Sequence, residues 1–222
     1  MTARRVPLAA LAVCAVVCLS ACGTGVPRRE YTDADQRLAG RITLRARDLP
    51  PDWRADPAAA NGGVPRRCYD AIWTHLVITG ESAAGFFEGP KDFSRSPTYA
   101  SSHAVVFVSR GTAISAFIRL RRVKALRCLA TDLKGHLLES ESYKGVSVRA
   151  LRLPGLGEHS SAAEIAIDFG AQSLARRGYI DAVLVQRGRV FALLLFGDVV
   201  NPFDPAVERQ VSHMVAARMP SS

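Results

Sequence analysis

Cys22 is the residue whose chemistry the sequence specifies most closely. It directly follows Leu19-Ser20-Ala21, at the end of an uncharged apolar run that begins at Val6, after Arg4 and Arg5. A basic head, an apolar stretch of about 7–15 residues and small residues before a cleavage site are the parts of a secretory signal peptide. A cysteine directly after the small residues is typical of a lipoprotein processing site. We therefore expect the Cys22 thiol to receive a diacylglyceryl group and to become the first mature residue.

A membrane-spanning helix and an ordinary secreted signal are the two alternatives for this segment. A spanning helix needs about 20 apolar residues, and this run is shorter. An ordinary signal carries no cysteine directly after its cleavage site. We predict a signal peptide over residues 1–21, with which Cys14 and Cys18 are discarded. The partner of the mature chain is then membrane lipid, bound through acylated Cys22, and the chain faces the outside of the cytoplasm.

Apart from acylated Cys22, the mature chain keeps two cysteines, Cys68 and Cys128. An even number of cysteines in an oxidising compartment indicates a disulfide. Closing a loop of about 60 residues in this way stabilises a fold by roughly 4 kcal/mol in the chain-entropy model. The alternative is a metal site, but the chain contains no C-x-x-C, H-x-H or H-E-x-x-H motif with close ligand spacing. We predict a disulfide, and neither a metal nor a cofactor.

The densest basic run of the chain comprises Arg119, Arg121, Arg122, Lys124 and Arg127. Each basic residue close to an anionic membrane contributes about 1 kcal/mol to binding. We predict that this segment contacts anionic lipid headgroups or an acidic cell-wall ligand. The alternative is a solvated helix face, which is what charge runs on helices usually form. The formal net charge of +9 also indicates an acidic partner, and the export signal argues against nucleic acid.

Signatures of catalysis are sparse in this sequence. Neither a nucleophile elbow G-x-S-x-G nor a Walker loop occurs. Glu158, His159 and Ser160 are adjacent in sequence, whereas the members of a catalytic triad meet through the fold. Trp53 and Trp73 could line a cleft, although tryptophans are more often part of a core. We therefore expect a protein that binds or senses a ligand, and no catalytic residues.

The spacing of apolar residues predicts the elements that position these groups. Helices are expected over residues 68–78, from Gly111-Thr112 with Thr112 as N-cap, and over 123–138 and 204–218. Residues 42–46 are predicted as a first strand, and residues 86–93, 99–109, 146–151, 163–169, 179–185 and 190–196 as later strands.

Short turns between consecutive strands indicate antiparallel pairing. The predicted fold class is α+β, a twisted antiparallel sheet of about six to seven strands with helices packed on one face and one disulfide. The polar residues after Cys22 predict a flexible tether over residues 22–38. Residues 39–222 are expected to form a single sensor-like domain.

Dispersed motifs of the mature chain add a further indication. They are Asp48–Trp53, Cys68, Ser102–Phe107 before an alanine-rich helix, Cys128, Leu153–Gly157 and Arg187–Val190. In this order they resemble the sensor domains of actinobacterial lipoproteins and of PknH-type membrane serine/threonine kinases. The resemblance implies a twisted antiparallel sheet with helices and a cleft for an extracellular ligand. This chain differs in having no kinase domain, and one cysteine pair where those sensors have two.

The sequence thus predicts a membrane-anchored extracytoplasmic lipoprotein with a non-enzymatic ligand-binding or sensor-like domain. Two other functions stay open. A cell-envelope hydrolase or wall-modifying enzyme would place two close carboxylates, or a Ser-His-acid group, in a polar cleft. A structural partner of another envelope protein would expose a flat apolar patch.

Overall fold

An eight-stranded sheet flanked by helices forms the centre of the protein. The computed structural model describes residues 26–56, 66–88, 98–137, 143–153, 155–169, 176–198 and 201–220. Cys22 and the predicted signal peptide lie outside these residues. The strands are β1 (Arg28–Arg29), β2 (Arg54–Ala55), β3 (Val77–Glu88), β4 (Thr98–Phe107), β5 (Tyr143–Leu151), β6 (His159–Phe169), β7 (Arg176–Arg187) and β8 (Val190–Asp198). The α-helices are α1 (Asp33–Ile42), α2 (Arg66–Ile72), α3 (Arg110–Leu120), α4 (Val123–Leu137) and α5 (Pro205–Ala217).

The strands follow the order β1-β3-β4-β8-β7-β6-β5 across the sheet, and β2 pairs with the far end of β3. β1 runs parallel to the start of β3, and the remaining pairings of the described strands are antiparallel. The β7–β8 hairpin turns at Gly188, whose φ of 56° suits glycine. The predicted α+β class and antiparallel sheet are confirmed.

Both faces of the sheet carry an apolar core. In β4, Val105 and Phe107 belong to one core and Ala104 and Val106 to another. Because alternate residues of a strand point to opposite sides of a sheet, the two cores lie on opposite faces. We call the face that contains Cys68 the disulfide face; α2, α3 and α4 cover it. The other, called the opposite face, is covered by α1 and α5.

The expectation that the helices pack on one face therefore needs correction. In β8 each residue from Val190 to Gly197 is buried. A strand that is covered on both sides has a continuous apolar sequence instead of an alternating one. The apolar run from Val190 to Gly197 predicts a strand, but it does not by itself indicate that both sides of the strand are covered.

The N-terminal helix α1 replaces a predicted strand and much of the predicted tether. The Thr32 hydroxyl caps it by accepting a hydrogen bond from the Asp35 amide at 3.2 Å. Ile42, predicted to start a strand over residues 42–46, is instead the last residue of α1 and is buried with Ala39, three residues earlier. Residues 28–29 form β1, and residues 33–38 belong to α1. Regular secondary structure is therefore already present in the part of the predicted tether that the structure describes.

Gly80 allows α1 to lie directly on β3. A Cβ atom at this position would overlap the backbone carbonyl of Asp35 in α1. Real Cβ atoms cannot approach a backbone this closely, because the interiors of proteins are packed at van der Waals distance. The position of α1 on the sheet thus depends on a residue without a side chain.

Other predicted elements are present with different ends. The predicted helix over residues 68–78 is too long, because α2 ends at Ile72 and β3 starts at Val77. The N-cap of α3 is Ser109 instead of Thr112, and its hydroxyl accepts from the Thr112 amide at 3.2 Å. α5 follows the prediction closely, with proline in its first turn after the capping residue Asp204.

Candidate functional site

Cys68 and Cys128 form a disulfide that joins α2 to α4, with their Cα atoms 5.8 Å apart. The predicted disulfide is confirmed. α2 has only 7 residues, and helices of this length are not stable by themselves. The covalent link to the longer α4 therefore helps to fix α2 and the turn Trp73–Leu76 that follows it. The candidate site is built around this turn.

The predicted basic segment lies at the junction of α3 and α4, which we define as residues 118–127 and call the basic junction. This stretch contains no acidic residue. Four of the five predicted cations are exposed to solvent. They are Arg121, Arg122, Lys124 and Arg127.

The fifth cation, Arg119, has a structural role. Its Nη1 atom donates hydrogen bonds to the carbonyls of Ile72 at 3.1 Å and Thr74 at 3.0 Å. Carbonyls at the end of a helix lack partners within the helix, and a basic side chain there satisfies them. Arg119 thus ties α3 to the end of α2 and is not available for an outside partner.

Exposed apolar side chains accompany the free cations of the basic junction. Ile118 is 40% exposed and Val123 is 51% exposed. Ile118 lies three residues before Arg121, the C-cap residue of α3, and Val123 lies four residues before Arg127 in α4. Residues three or four apart are neighbours on a helix surface. The junction therefore presents apolar and basic side chains together.

The chain joins the sheet beside this junction. The Arg28 amide, at the start of β1, donates to the carbonyl of Leu76 at 2.9 Å. Leu76 ends the turn whose Thr74 carbonyl accepts from Arg119. One turn of four residues therefore contacts both the first strand and the basic junction. No local pattern in the sequence predicts this proximity.

A polar network holds β1 in place. The Arg29 guanidinium binds Asp70 of α2 at 2.9 Å and Glu81 of β3 at 3.4 Å. The Tyr31 hydroxyl donates to Glu81 Oε2 at 2.5 Å, and His103 Nε2 lies 2.8 Å from Glu81 Oε1. These contacts connect the first strand with a helix and two further strands.

The charges of Glu81 and Tyr31 are fixed over a wide pH range. Burial by itself would raise the pKa of Glu81, but the hydrogen bonds from His103 and Tyr31 outweigh it and lower the pKa to about 2. Burial and the bond to Glu81 raise the pKa of Tyr31 to about 12. Glu81 is thus an anion and Tyr31 a donor at neutral pH. The hydrogen bonds between them therefore support β1 under these conditions.

Two buried aspartates on α1 and the following turn bind arginines. Arg189 Nη2 and Nη1 donate to the two carboxylate oxygens of Asp35 at 2.5 and 2.7 Å. Arg218 binds Asp48 through Nη2 and, at 2.8 Å, through Nη1. Asp48 and Arg189 belong to the motifs that carry the resemblance to sensor domains. In this chain Arg189 holds α1 to the β7–β8 hairpin, and Asp48 holds the end of α5 to the turn that follows α1.

Two other buried carboxyls lie between α5 and the opposite face of the sheet. Asp181 Oδ1 and Glu208 Oε1 have no hydrogen-bond partner among the described residues. Burial, reinforced by the charge of Glu164, raises the pKa of Asp181 to about 6. Burial and the charge of Asp181 raise the pKa of Glu208 to about 7. Sequence reasoning missed both, although Asp181 interrupts an otherwise apolar strand.

Other candidates from the sequence have structural positions. Trp73 is part of the disulfide-face core, and Trp53 packs against Phe203 with ring centroids 6.2 Å apart. Glu158 forms an ion pair with Arg110 at 3.0 Å. Among the residues that the structure describes, no group of His, Cys, Asp or Glu is placed to hold a metal ion, and no helix is long and apolar enough to cross a membrane.

Comparison with known proteins identifies little similarity. No protein-family model matches the chain, and no curated protein matches it in sequence. Among solved structures, it is similar to LpqN of Mycobacterium tuberculosis, described as involved in cell envelope biogenesis. The two are 16% identical over 76% of this chain and 75% of LpqN, with a TM-score of 0.31. Because this TM-score is low, neither fold nor function is transferred from LpqN, and the resemblance to PknH-type sensor domains stays a prediction.

Proposed function

We propose that this chain is an extracytoplasmic lipoprotein, anchored in the membrane through acylated Cys22, with a non-enzymatic ligand-binding or sensor-like domain. The observation that carries the proposal is the position of β1. Arg28 is hydrogen-bonded into the sheet and lies 6 residues beyond Cys22 in the sequence. A chain of this length spans at most about 20 Å when fully extended. The folded part would therefore be held next to the bilayer.

The way in which β1 is fixed supports an anchor at this end of the chain. A two-residue strand contributes few backbone hydrogen bonds of its own. Arg29 and Tyr31 add charge-assisted bonds to Glu81, and such bonds are stronger than neutral ones. The strand that follows the anchor is thus tied firmly to the rest of the sheet.

The roles of the acidic residues favour binding over catalysis. Glu81, Asp35 and Asp48 are ionised partners of basic or hydroxyl groups that connect separate elements. Asp181 and Glu208, whose raised pKa values would suit a general acid, are each only 5% exposed. An envelope hydrolase would instead present its carboxylates to a substrate.

Acylation of Cys22 tests the anchor. Cys22→Ala should abolish metabolic palmitate labelling and partitioning into a detergent phase, because the Cys22 sulfur is the atom that receives the diacylglyceryl group. Cys18→Ala is the matched control, since this cysteine belongs to the discarded signal peptide and its loss should change neither result. Unchanged labelling of Cys22→Ala would contradict the proposal.

Native mass spectrometry of the acylated protein from its own host tests the binding role. A small molecule retained at one-to-one stoichiometry is the expected result. Conversion of that molecule by the purified protein would favour the hydrolase instead.

A further inference from the structure

We propose that the basic junction docks on the anionic surface of the bilayer that holds the lipid anchor, with Ile118 and Val123 entering the headgroup region. Arg121, Arg122, Lys124 and Arg127 would then contact lipid phosphates. This inference rests on the proposed anchoring and adds how the domain is oriented on the membrane.

The chemistry of the junction fits a bilayer surface. Its four exposed cations are not opposed by any acidic residue within the segment. Ile118 lies three residues before Arg121, and Val123 lies four residues before Arg127, so each exposed apolar side chain has a basic neighbour on its helix surface. Helical surfaces that combine both groups bind at the boundary of headgroups and acyl chains. A soluble polyanion would use the cations but would offer nothing to the apolar side chains.

The junction is also rigid enough to present these groups as a unit. Arg119 binds two carbonyls at the end of α2, and the Cys68–Cys128 disulfide joins α2 to α4. Arg121 caps α3 and lies over the Phe117 ring, 5.9 Å from its centroid. Little conformational entropy would therefore be lost on docking.

The tether brings the junction to the membrane. The turn Trp73–Leu76 contacts both Arg28, at the start of β1, and Arg119 of the junction. The chain between Cys22 and Arg28 spans at most about 20 Å. Anchoring at Cys22 would therefore keep the basic junction close to the lipid headgroups. Its effective concentration at the surface is then high, and weak contacts suffice to orient the domain. α5, on the opposite face of the sheet, would point away from the bilayer.

Depth-dependent quenching tests the orientation in the full acylated protein. The protein is reconstituted into phosphatidylcholine vesicles that contain brominated lipid, with or without phosphatidylglycerol. Val123→Trp should be quenched strongly in the anionic vesicles. His213→Trp, an exposed position on α5, is the matched control and should not be quenched.

Further substitutions in the Val123→Trp background separate charge from apolar contact. Arg121→Glu with Arg122→Glu should lower the ratio of docked to undocked protein at least about 30-fold, since each cation contributes about a factor of five near such a surface. High salt should act in the same direction. Ile118→Ser should weaken docking while all charges remain.

Three results would overturn the proposal in distinguishable ways. Equal quenching at residues 123 and 213, in protein that floats with the vesicles, would leave the anchor intact and reject the orientation. Undiminished docking of Ile118→Ser would identify a general polyanion site instead of a bilayer site. Protein that fails to float with any vesicles would reject the anchor, and the docking proposal with it.

Discussion

Four carboxyl groups of this protein are buried to the same degree and behave in opposite ways. Asp35, Asp48, Asp181 and Glu208 are each 5% exposed. The hydrogen bonds from Arg189 hold the pKa of Asp35 below its usual value, although burial opposes them. For Asp48 burial is the largest influence and raises the pKa, but the bonds from Arg218 and the Arg45 amide outweigh it. In contrast, Asp181 and Glu208 have raised pKa values of about 6 and 7.

The difference teaches that burial alone does not decide the charge of an acid. A buried carboxylate is costly in free energy unless a cation or several donors compensate for the lost water. Asp35 and Asp48 have such partners and serve as ionised links between elements. For Asp181, burial and then the charge of Glu164, its cross-strand neighbour, favour the protonated form, and the charge of Asp181 reinforces the effect of burial on Glu208.

Several charged side chains lie on the strands and the helix around Asp181. Arg149 of β5 binds Glu164 at 2.8 Å and compensates its charge. Arg177 binds Asp168 at 2.7 Å farther along β6 and β7. Asp198 of β8 accepts from Thr98, and Arg209 of α5 donates to the Pro205 carbonyl. Arg149 lowers the pKa of Asp181 and Arg209 lowers that of Glu208, but burial and the neighbouring like charge outweigh them.

Removal of a cation from a buried pair should have the largest effect. Arg218→Met should lower the free energy of unfolding by about 3–5 kcal/mol at pH 7, because Asp48 would remain buried without its partner. Urea denaturation measures the change. Arg177→Met is the matched control, since this arginine is 54% exposed, against 21% for Arg218, and solvent screens its exposed pair with Asp168. Equal losses for both variants would break the comparison.

The pH dependence of stability should show both kinds of acid in one curve. As pH rises from about 4 to 8, the unfolded chain releases the protons of residues 181 and 208 before the folded protein does, so stability falls. Because one pKa unit corresponds to about 1.4 kcal/mol, each of these two groups lowers the free energy of unfolding by up to about 3 kcal/mol over this range. As pH falls below about 4, protonation of Asp35 and Asp48 lowers stability from the other side. We therefore expect a maximum near pH 4 to 5.

The double variant Asp181→Asn with Glu208→Gln is the control for that curve. Urea denaturation across the pH range should show that its stability no longer falls between pH 5 and 8. The loss below pH 4 should persist, because the arginine-bound aspartates are intact. A curve that retains the full decline above pH 5 would show that other groups cause it.

A single amide substitution should give the smallest effect. Asp181→Asn should raise the free energy of unfolding by about 1–2 kcal/mol at pH 8, since it removes a like charge without changing the shape of the side chain. Asp168→Asn, at the exposed pair with Arg177, should be neutral or slightly destabilising. Thermal or urea unfolding of the two variants at pH 5 and pH 8 separates the outcomes. A gain for Asp181→Asn at pH 5 equal to that at pH 8 would contradict the role of ionisation.

Local patterns in the sequence predicted most elements but not the packing of helices. The apolar runs over residues 179–185 and 190–196 predicted the strands of the β7–β8 hairpin, and the helical spacing over residues 204–218 predicted α5. The same rules failed at Ile42, where a short apolar run fits a helix end as well as a strand. They also assigned every helix to one face, because periodicity gives the buried side of an element and not the side of the sheet that it joins.

The sequence by itself determined the signal pattern ending at Cys22, the pairing of Cys68 with Cys128 and the position of the basic junction. Each depends on residue types close together in the chain or on an even count of cysteines. Only the tertiary structure decided that Arg119 supports α2 while the other four cations of the basic junction are exposed. It also decided which buried acids are paired with arginines. Asp35 and Arg189 are 154 residues apart, and Asp48 and Arg218 are 170 apart. Contacts over such separations arise from the folded topology, which no local spacing encodes.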